Sequence, residues 1–214
     1  MDEFSTADIV VNLLLAVRWT LVLTAVAFAG GGGVGLAVLI ARIDRRPWLS
    51  RAAKAYIGLF QGTPLLLQLF VMFFGLPLLG LEIEPWMAAT LGLTFYASAY
   101  LAEIWRGGVE ALPKGQWEAA ASLGLHYVTR LRLVILPQAL RLTLPPAVGF
   151  LVQLVKATAV TSIIGFTELM KTADAINNAT FEPFTVYGMV AVIYFALCFP
   201  LTTYARHLEG APSR

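Results

Sequence analysis

Long apolar stretches without charge dominate the chain and predict membrane-spanning helices. Five stretches cover residues 19–41, 55–81, 85–102, 142–167 and 183–205, and among them only the fourth holds a charged residue, Lys156. A helix needs about 20 apolar residues to cross the hydrocarbon, because every backbone polar group must be satisfied without water. The pattern predicts an all-α membrane protein with five transmembrane helices. Residues 1–18 are expected to form an amphipathic segment on the outer membrane surface.

The composition supports the same class. The 214 residues are 58% hydrophobic and 13% charged, whereas soluble domains have roughly 25% charged residues. We therefore treat residues 1–214 as a single transmembrane domain. One cysteine, Cys198, excludes a disulfide framework, and the isolated His126 and His207 have no partners at ligand spacing for a metal site.

The basic residues segregate to one side of a five-span topology. Only Arg18 and Lys171 fall on the other side, and four or six spans would break the segregation. Short loops rich in Lys and Arg stay in the cytoplasm, so we expect the N-terminus outside and the C-terminus in the cytoplasm. The basic residues on the predicted cytoplasmic side are Arg42, Arg45, Arg46, Arg51, Lys54, Arg106, Lys114, Arg130, Arg132, Arg141, Arg206 and Arg214.

The longest predicted cytoplasmic loop, residues 103–141, lies between spans three and four and is itself organised. A short helix is predicted over 118–123, with Glu118 favourable at its positive end and Gly124 as its stop. A second short helix is predicted over 128–136, ending at Pro137. Three successive alanines, 119–121, give the first helix a thin face that a partner can approach closely.

The loop also carries a motif with a defined spacing. Glu118-Ala119-Ala120 is followed by Gly124, then by Val134 and Leu136-Pro137. This spacing resembles the cytoplasmic signature of the permease subunits of bacterial ABC importers, which has Ile at the position of Val134. Segments 61–65, 100–108, 113–120 and 132–139 resemble the polar amino acid uptake subfamily. The chain departs from it at Gln61, where Arg is usual, and at Ala157, where Asp is usual.

The resemblance implies a transport subunit that works with several partners. These are a pair of ATPase subunits that hold ATP and Mg, a second permease subunit (identical or similar), and an extracytoplasmic solute-binding protein, in the inner membrane of a bacterium. The residues implied to couple to the ATPase are Glu118, Ala119, Ala120, Gly124, Leu136 and Pro137. No Gly-x-x-x-x-Gly-Lys-Ser/Thr segment occurs in the sequence, so we expect no ATPase activity or cofactor on this chain. No nucleic acid partner is expected.

Polar side chains within the predicted spans are candidates for a pathway that carries a small zwitterion. Lys156 either lines this pathway or forms a fixed pair with Glu103 or a carbonyl cluster, since a buried charge in lipid needs a partner or a pathway. Glu103 and Arg106, three residues apart, are expected to form a structural helical pair. The pathway candidates are Thr63, Gln68, Tyr96, Ser98, Tyr100, Gln153, Lys156, Thr158, Thr161 and Ser162.

Three further segments carry local predictions. Gly31 and Gly35 are expected to allow close helix packing, rather than to form part of a dinucleotide site, because they lie inside a span. A helix start or restart is expected near Thr63-Pro64, with Thr63 as N-cap. Residues 168–182 could form a short outer helix that shapes a gate or docks a binding protein. Two other functions remain open: an ion-coupled secondary transporter and a membrane-embedded enzyme.

Overall fold

The computed structural model describes residues 5–210, with side chains described for residues 5–208, and this part of the chain is helical without strands. The elements are α1 (Thr6–Ile43), α2 (Pro47–Gly62), α3 (Leu65–Phe70), a π-helical turn (Val71–Gly75), α4 (Leu76–Leu78), α5 (Pro85–Ala111), α6 (Lys114–Ser122), α7 (Tyr127–Arg130), a second π-helical turn (Leu131–Ile135), α8 (Leu136–Leu142), α9 (Leu144–Ala157), a 3-10 segment (Thr158–Ile164), α10 (Leu169–Thr180) and α11 (Pro183–Gly210).

Three helical segments of this part are long and apolar enough to cross a membrane. They are Thr6–Ile43, Leu144–Ile164 and Pro183–Leu208, and the pair Pro47–Gly62 and Leu65–Leu78, bent by 104°, makes up to a fourth. The remaining predicted span falls in α5, which carries Ala, Gly and Ser on its buried positions. A helix surrounded by other helices needs less apolar surface than one that faces lipid, so its assignment as a span stays a prediction.

The first helix corrects the prediction of a separate outer segment. Residues 6–18 form the first third of α1 without a break. The helix begins with a capping box in which Ser5 and Asp8 bond each other's backbone N–H groups. Ile9 and Leu13 are buried against α10 and α11, and this packing explains why the segment continues the span. Residues 1–4 lie outside the described residues.

The centre of the bundle is the contact between α1 and α5. A Cβ atom on Gly31 would lie 2.6 Å from Ala97 Cβ, and one on Gly35 would lie 2.9 Å from the Ser98 carbonyl oxygen. The close packing predicted for these two glycines is therefore confirmed. Leu69, Leu93 and Leu154 are fully buried in the core cluster around this contact. The glycines allow this close approach of α5 to α1.

The predicted helix restart near Thr63-Pro64 is confirmed, but the N-cap role of Thr63 is wrong. Thr63 ends α2, and its hydroxyl donates to the Leu59 carbonyl oxygen at 2.7 Å. The amide of Gln68 closes the bend from the other side, since Nε2 donates to the carbonyl oxygens of Phe60 at 2.8 Å and Thr63 at 3.0 Å. The bend is held by side chains that satisfy the backbone groups freed at the break.

Candidate functional site

The helix α6 stands out from the rest of the structure by its position and exposure. It extends over Lys114–Ser122, three residues after the end of α5, and it is longer than the predicted 118–123 helix at its N-terminal end. Gly124 ends it in the left-handed region with φ +72°, while the N–H groups of Gly124 and Leu125 bond the carbonyl oxygens of Ala121 and Ala120. This is a Schellman motif, which favours glycine because L side chains are strained there.

The two faces of α6 differ in what they contact. Glu118 and Ala119 are exposed, whereas Ala120 is only 3% exposed and packs inside the chain. Trp117 stacks on Tyr127 of α7 at a ring distance of 6.2 Å. The side chain of Ala120 is therefore turned away from any partner, and the outward contact expected of both alanines can be made by the side chain of Ala119 alone.

A large apolar side chain extends this exposed face. Leu123, directly after α6, is 79% exposed. A single exposed leucine is common on protein surfaces, but Leu123 follows exposed Ala119 by four residues and so extends the same face. Leu123 occupies an ordinary position in the apolar pattern, so the sequence gives no signal for its exposure.

The segment after α6 differs from the prediction. The helix expected over 128–136 does not end at Pro137, since helical residues continue from Tyr127 to Leu142. Proline in a helix lacks an N–H donor and clashes with the preceding turn. The π-helical turn Leu131–Ile135 widens the helix directly before Pro137 and accommodates the ring. Leu136 packs partly buried on the Val109 cluster, and Pro137 is exposed.

Three charged side chains interact near the C-terminal end of α5, next to this region. Arg106 pairs with Glu103 at 2.8 Å and with Glu110 one turn further, which confirms the predicted structural pair. Glu103 is thus engaged by Arg106, and the fixed pair between Lys156 and Glu103 that was considered above is wrong. Arginine three residues away on the same helix face reaches the carboxylate with a bidentate geometry.

Most of the hydroxyl-bearing pathway candidates are buried and bonded within the chain. Ser98 is fully buried and bonds the Tyr56 hydroxyl at 2.6 Å. Thr158 and Thr161 donate to the carbonyl oxygens of Val155 and Thr158, which satisfies the tighter 3-10 winding there. Ser162 is 6% exposed in the same segment. Together with Thr63 and Gln68 at the bend between α2 and α3, these residues hold the helices in place.

The other four candidates lie on or near an open face of α9. Gln153 and Lys156, three residues apart, are exposed on one side of this helix. Tyr96 and Tyr100 of α5 are in tilted ring contact, with ring centres 4.7 Å apart, and Tyr100 stacks on Phe150 of α9 at 5.3 Å. The structure therefore brings the ten predicted residues to at least two places rather than one cavity.

A buried carboxylate that the sequence analysis placed in an outer loop joins three helices. Glu168 is fully buried, and its Oε2 accepts hydrogen bonds from the hydroxyl groups of Thr20 at 3.3 Å and Tyr194 at 3.2 Å. Its Oε1 accepts from the Lys171 backbone N–H at 3.0 Å and caps α10. The apolar neighbours Phe166 and Leu169 were the available sequence signal for burial. Formation of α10 confirms the short helix that was considered for residues 168–182.

Glu168 should make the stability of the protein depend on pH. Burial raises the pKa of this carboxyl above its usual range, although hydrogen bonds from Met170, Lys171, Tyr194 and Thr20 oppose the effect. Since the pKa is higher in the folded than in the unfolded protein, the carboxyl favours folding at low pH. This contribution is lost as the pH rises from the usual glutamate pKa through the folded-state pKa.

We expect the melting temperature of the wild-type protein to fall relative to that of Glu168→Gln over this pH interval, because glutamine does not ionise. The measurement is thermal unfolding of both purified proteins in detergent from about pH 4 to pH 8, around the usual glutamate pKa. In a domain of this size 1 kcal/mol corresponds to about 2–4 °C. Parallel pH profiles of the two proteins would show that Glu168 does not titrate in this way.

Metal chemistry finds no support in the described residues, among which no group of three His, Cys, Asp or Glu side chains could hold an ion. Cys198 is a free thiol in α11. The described residues show two main features, the exposed helix α6 and a bundle of apolar helices.

Comparison with known proteins identifies the family. The model described as "Binding-protein-dependent transport system inner membrane component" matches residues 33–213. The chain is 36% identical to the Bacillus subtilis protein named "Probable amino-acid ABC transporter permease protein YckA" over 197 residues, which covers 92% of this chain and 87% of that protein. It is 34% identical to the "Arginine transport system permease protein ArtQ" of the same species over 214 residues, covering 98% and 96%.

The fold is also shared with a solved structure. The crystal structure of an amino acid ABC transporter with histidines contains a chain that superposes with a TM-score of 0.89 and 33% identity, covering 98% of both chains. The relatives are permease proteins of transport systems, so this chain is a transport subunit. The chain belongs to the family of binding-protein-dependent transport system inner membrane components, the permease subunits of ABC importers.

Proposed function

We propose that two permease subunits, this chain and an identical or similar copy, enclose a pathway that carries polar amino acids into a bacterial cell. An extracytoplasmic binding protein delivers the substrate, and a separate pair of ATPase subunits, which hold ATP and Mg, drives the movement. The observation that carries the proposal is α6, whose exposed Glu118, Ala119 and Leu123 form an outward face on a helix tied to the bundle. Relatives named as amino-acid permeases support the substrate class.

The proposed topology has five spans, with the N-terminus outside and the C-terminus in the cytoplasm. The segregation of twelve basic residues supports this orientation. It brings α6 and the loop 103–141 to the cytoplasm, where ATP is available. It also brings α10 and Glu168 to the outer side, where α10 is available to a binding protein.

The connection from α6 to the spans is a continuous set of packed side chains. Trp117 stacks on Tyr127 of α7, and the π-helical turn that continues α7 packs through Leu131 and Ile135 onto Val109 of α5. Movement of α6 with an ATPase subunit would therefore move the cytoplasmic ends of α5 and α8 as one body. Rigid-body rotation of this kind is a common way to switch between outward- and inward-open states.

Recognition of the substrate is proposed for the open face of α9. Lys156 offers an ammonium group for a carboxylate, and the exposed amide of Gln153 lies on the same face. Neither side chain has an ion-pair or hydrogen-bond partner among residues 5–208. An unpaired cation at membrane depth fits a pathway better than a structural role.

The proposal is tested by purifying the chain with its co-expressed neighbours and reconstituting the complex in liposomes. We expect an ATPase subunit to co-purify, and uptake of a labelled polar amino acid to require both ATP on the ATPase side and the binding protein. Liposomes that contain the permease without the ATPase are the control and should show background uptake. Uptake that persists without any ATPase subunit would contradict the proposal and favour an ion-coupled secondary transporter.

A further inference from the structure

An open groove of about 560 Å³ lies between the C-terminal end of α1 and the helices that follow α6. Leu36 and Ile40 form one wall, and Val128, Leu131 and Leu140 form the other. Ligand pockets in proteins have volumes of about 300–1,000 Å³, so the groove is large enough for part of a small molecule or a lipid chain. Its apolar walls lie at one end of the long apolar helix α1, where a bilayer surface is expected.

Part of each wall is open to the surroundings. Val128 is 68% exposed and Ile40 is 46% exposed, whereas Leu131 is only 7% exposed. Within residues 5–208 no other element covers the exposed part. An apolar surface at this depth is in contact with lipid hydrocarbon unless a protein lies over it.

The mouth of the groove is basic. Residues 36–46 and 125–141 carry six arginines and a single carboxylate, Asp44, and Arg132 and Asp44 themselves line the groove. The Asp44 carboxylate already accepts a hydrogen bond from the Arg46 backbone N–H at 2.8 Å. The Arg45 guanidinium lies 4.4 Å from the ring centre of Tyr127, another lining residue. Positively charged side chains therefore surround the polar end of the apolar groove.

Two buried nitrogen atoms near the mouth lack partners. Arg42 Nε and Arg130 Nε are inaccessible to solvent and have no hydrogen-bond acceptor among the described residues. Their guanidinium groups are held by other atoms, since Arg42 donates to Ser50 and Arg130 to the Leu125 carbonyl oxygen. These two nitrogen atoms are enclosed and neither arginine lines the groove, so the positive charge available to a ligand comes from Arg132 in the lining and from Arg45 on the Tyr127 ring.

We propose that an anionic phospholipid occupies this groove, with one acyl chain between α1 and α8 and its phosphate beside Arg132 and Arg45. An acyl chain gains little free energy by entering the groove, because the lipid hydrocarbon that it leaves is equally apolar. Selectivity for the anionic headgroup comes from the arginines, each of which contributes about fivefold near a membrane surface. The proposal goes beyond transport, and it requires only that this end of α1 meets a bilayer face.

The groove is connected to α6 through Tyr127. Tyr127 lines the groove, carries Arg45 on its ring, and stacks on Trp117 of α6. Its hydroxyl donates to the Ile43 carbonyl oxygen at the end of α1 at 3.1 Å. A lipid in the groove would therefore brace the base of α6 against α1.

The test measures lipid binding to the full chain, purified in detergent with the subunits that accompany it. Native mass spectrometry during titration with phosphatidylglycerol or phosphatidylcholine gives the two affinities. We expect at least tenfold tighter binding of phosphatidylglycerol, a loss of about fivefold in Arg132→Gln or Arg45→Gln, and an unchanged value in Arg51→Gln, a control arginine of α2 that does not line the groove. Equal binding of the two lipids, or an equal loss in Arg51→Gln, would overturn the proposal.

A second measurement locates the acyl chain. Phosphatidylglycerol with a photoreactive group in its chain should label peptides that contain Leu36 or Ile40, and Leu140→Trp, which fills the groove, should abolish this labelling. Thermal unfolding verifies that each variant is folded. If Leu140→Trp instead abolishes self-association and the labelling is absent from the wild type, a second copy of the chain occupies the groove and the lipid proposal is wrong.

Discussion

Replacing Ala119 by arginine is expected to lower ATP-driven uptake at least tenfold while the membrane bundle stays folded. Ala119 is exposed on α6, where its methyl group allows close approach of a partner. Arginine adds a long charged side chain at the centre of the proposed contact, and a tenfold loss corresponds to only about 1.4 kcal/mol. The fold should survive because Ala119 is exposed and does not contribute to the burial of Ala120 or to the packing of Trp117.

The matched control is Ala52→Arg. Ala52 is exposed on α2, on the predicted cytoplasmic side, and it is not part of α6. Uptake of a labelled amino acid by reconstituted complexes and co-purification of the ATPase are measured for both variants. We expect Ala52→Arg to retain most of the uptake. Equal losses in the two variants would show that the effect is not specific to α6, and normal uptake by Ala119→Arg would exclude α6 as the contact with the ATPase.

The sequence predicts α6 well because its determinants are local. Gly124 ends the helix through a Schellman motif formed by residues within five positions, so a glycine at that spacing is sufficient to indicate the end. The burial of Ala120 could not be predicted in the same way, since it depends on Trp117 meeting Tyr127 of another helix. A run of three alanines gives no signal of which methyl group faces inward.

The same distinction explains the errors elsewhere. Pro137 is a correct local signal for a helix break, but the π-helical turn before it absorbs the strain and the helix continues. Glu168 looks like a loop carboxylate, and its burial requires Thr20 and Tyr194, more than twenty residues away in each direction. Side-chain partners that are distant in sequence produce no periodicity or spacing from which their contact could be predicted.

The second large effect is expected at the contact between α1 and α5. Gly31→Leu should lower the melting temperature of the purified protein by about 5 °C or more, or prevent its isolation as a folded chain. The new Cβ would lie 2.6 Å from Ala97 Cβ and 3.2 Å from the Ser98 backbone nitrogen. Backbone atoms of a long helix cannot move aside locally, so α5 must shift as a whole. Overpacking of this kind costs about 1–3 kcal/mol, and 1 kcal/mol corresponds to about 2–4 °C here.

Gly33→Leu is the matched control, two residues along the same helix. A Cβ atom on Gly33 meets nothing within 4 Å, and leucine favours a helix over glycine by roughly 1 kcal/mol. Its melting temperature should therefore equal or exceed that of the wild type. Thermal unfolding in detergent, followed by tryptophan fluorescence and size-exclusion chromatography, compares the three proteins. If Gly31→Leu and Gly33→Leu unfold together, close approach of α1 and α5 does not hold this bundle. If only Gly31→Leu unfolds at a lower temperature, the close approach of α1 and α5 at this glycine stabilises the bundle to which α6 is attached.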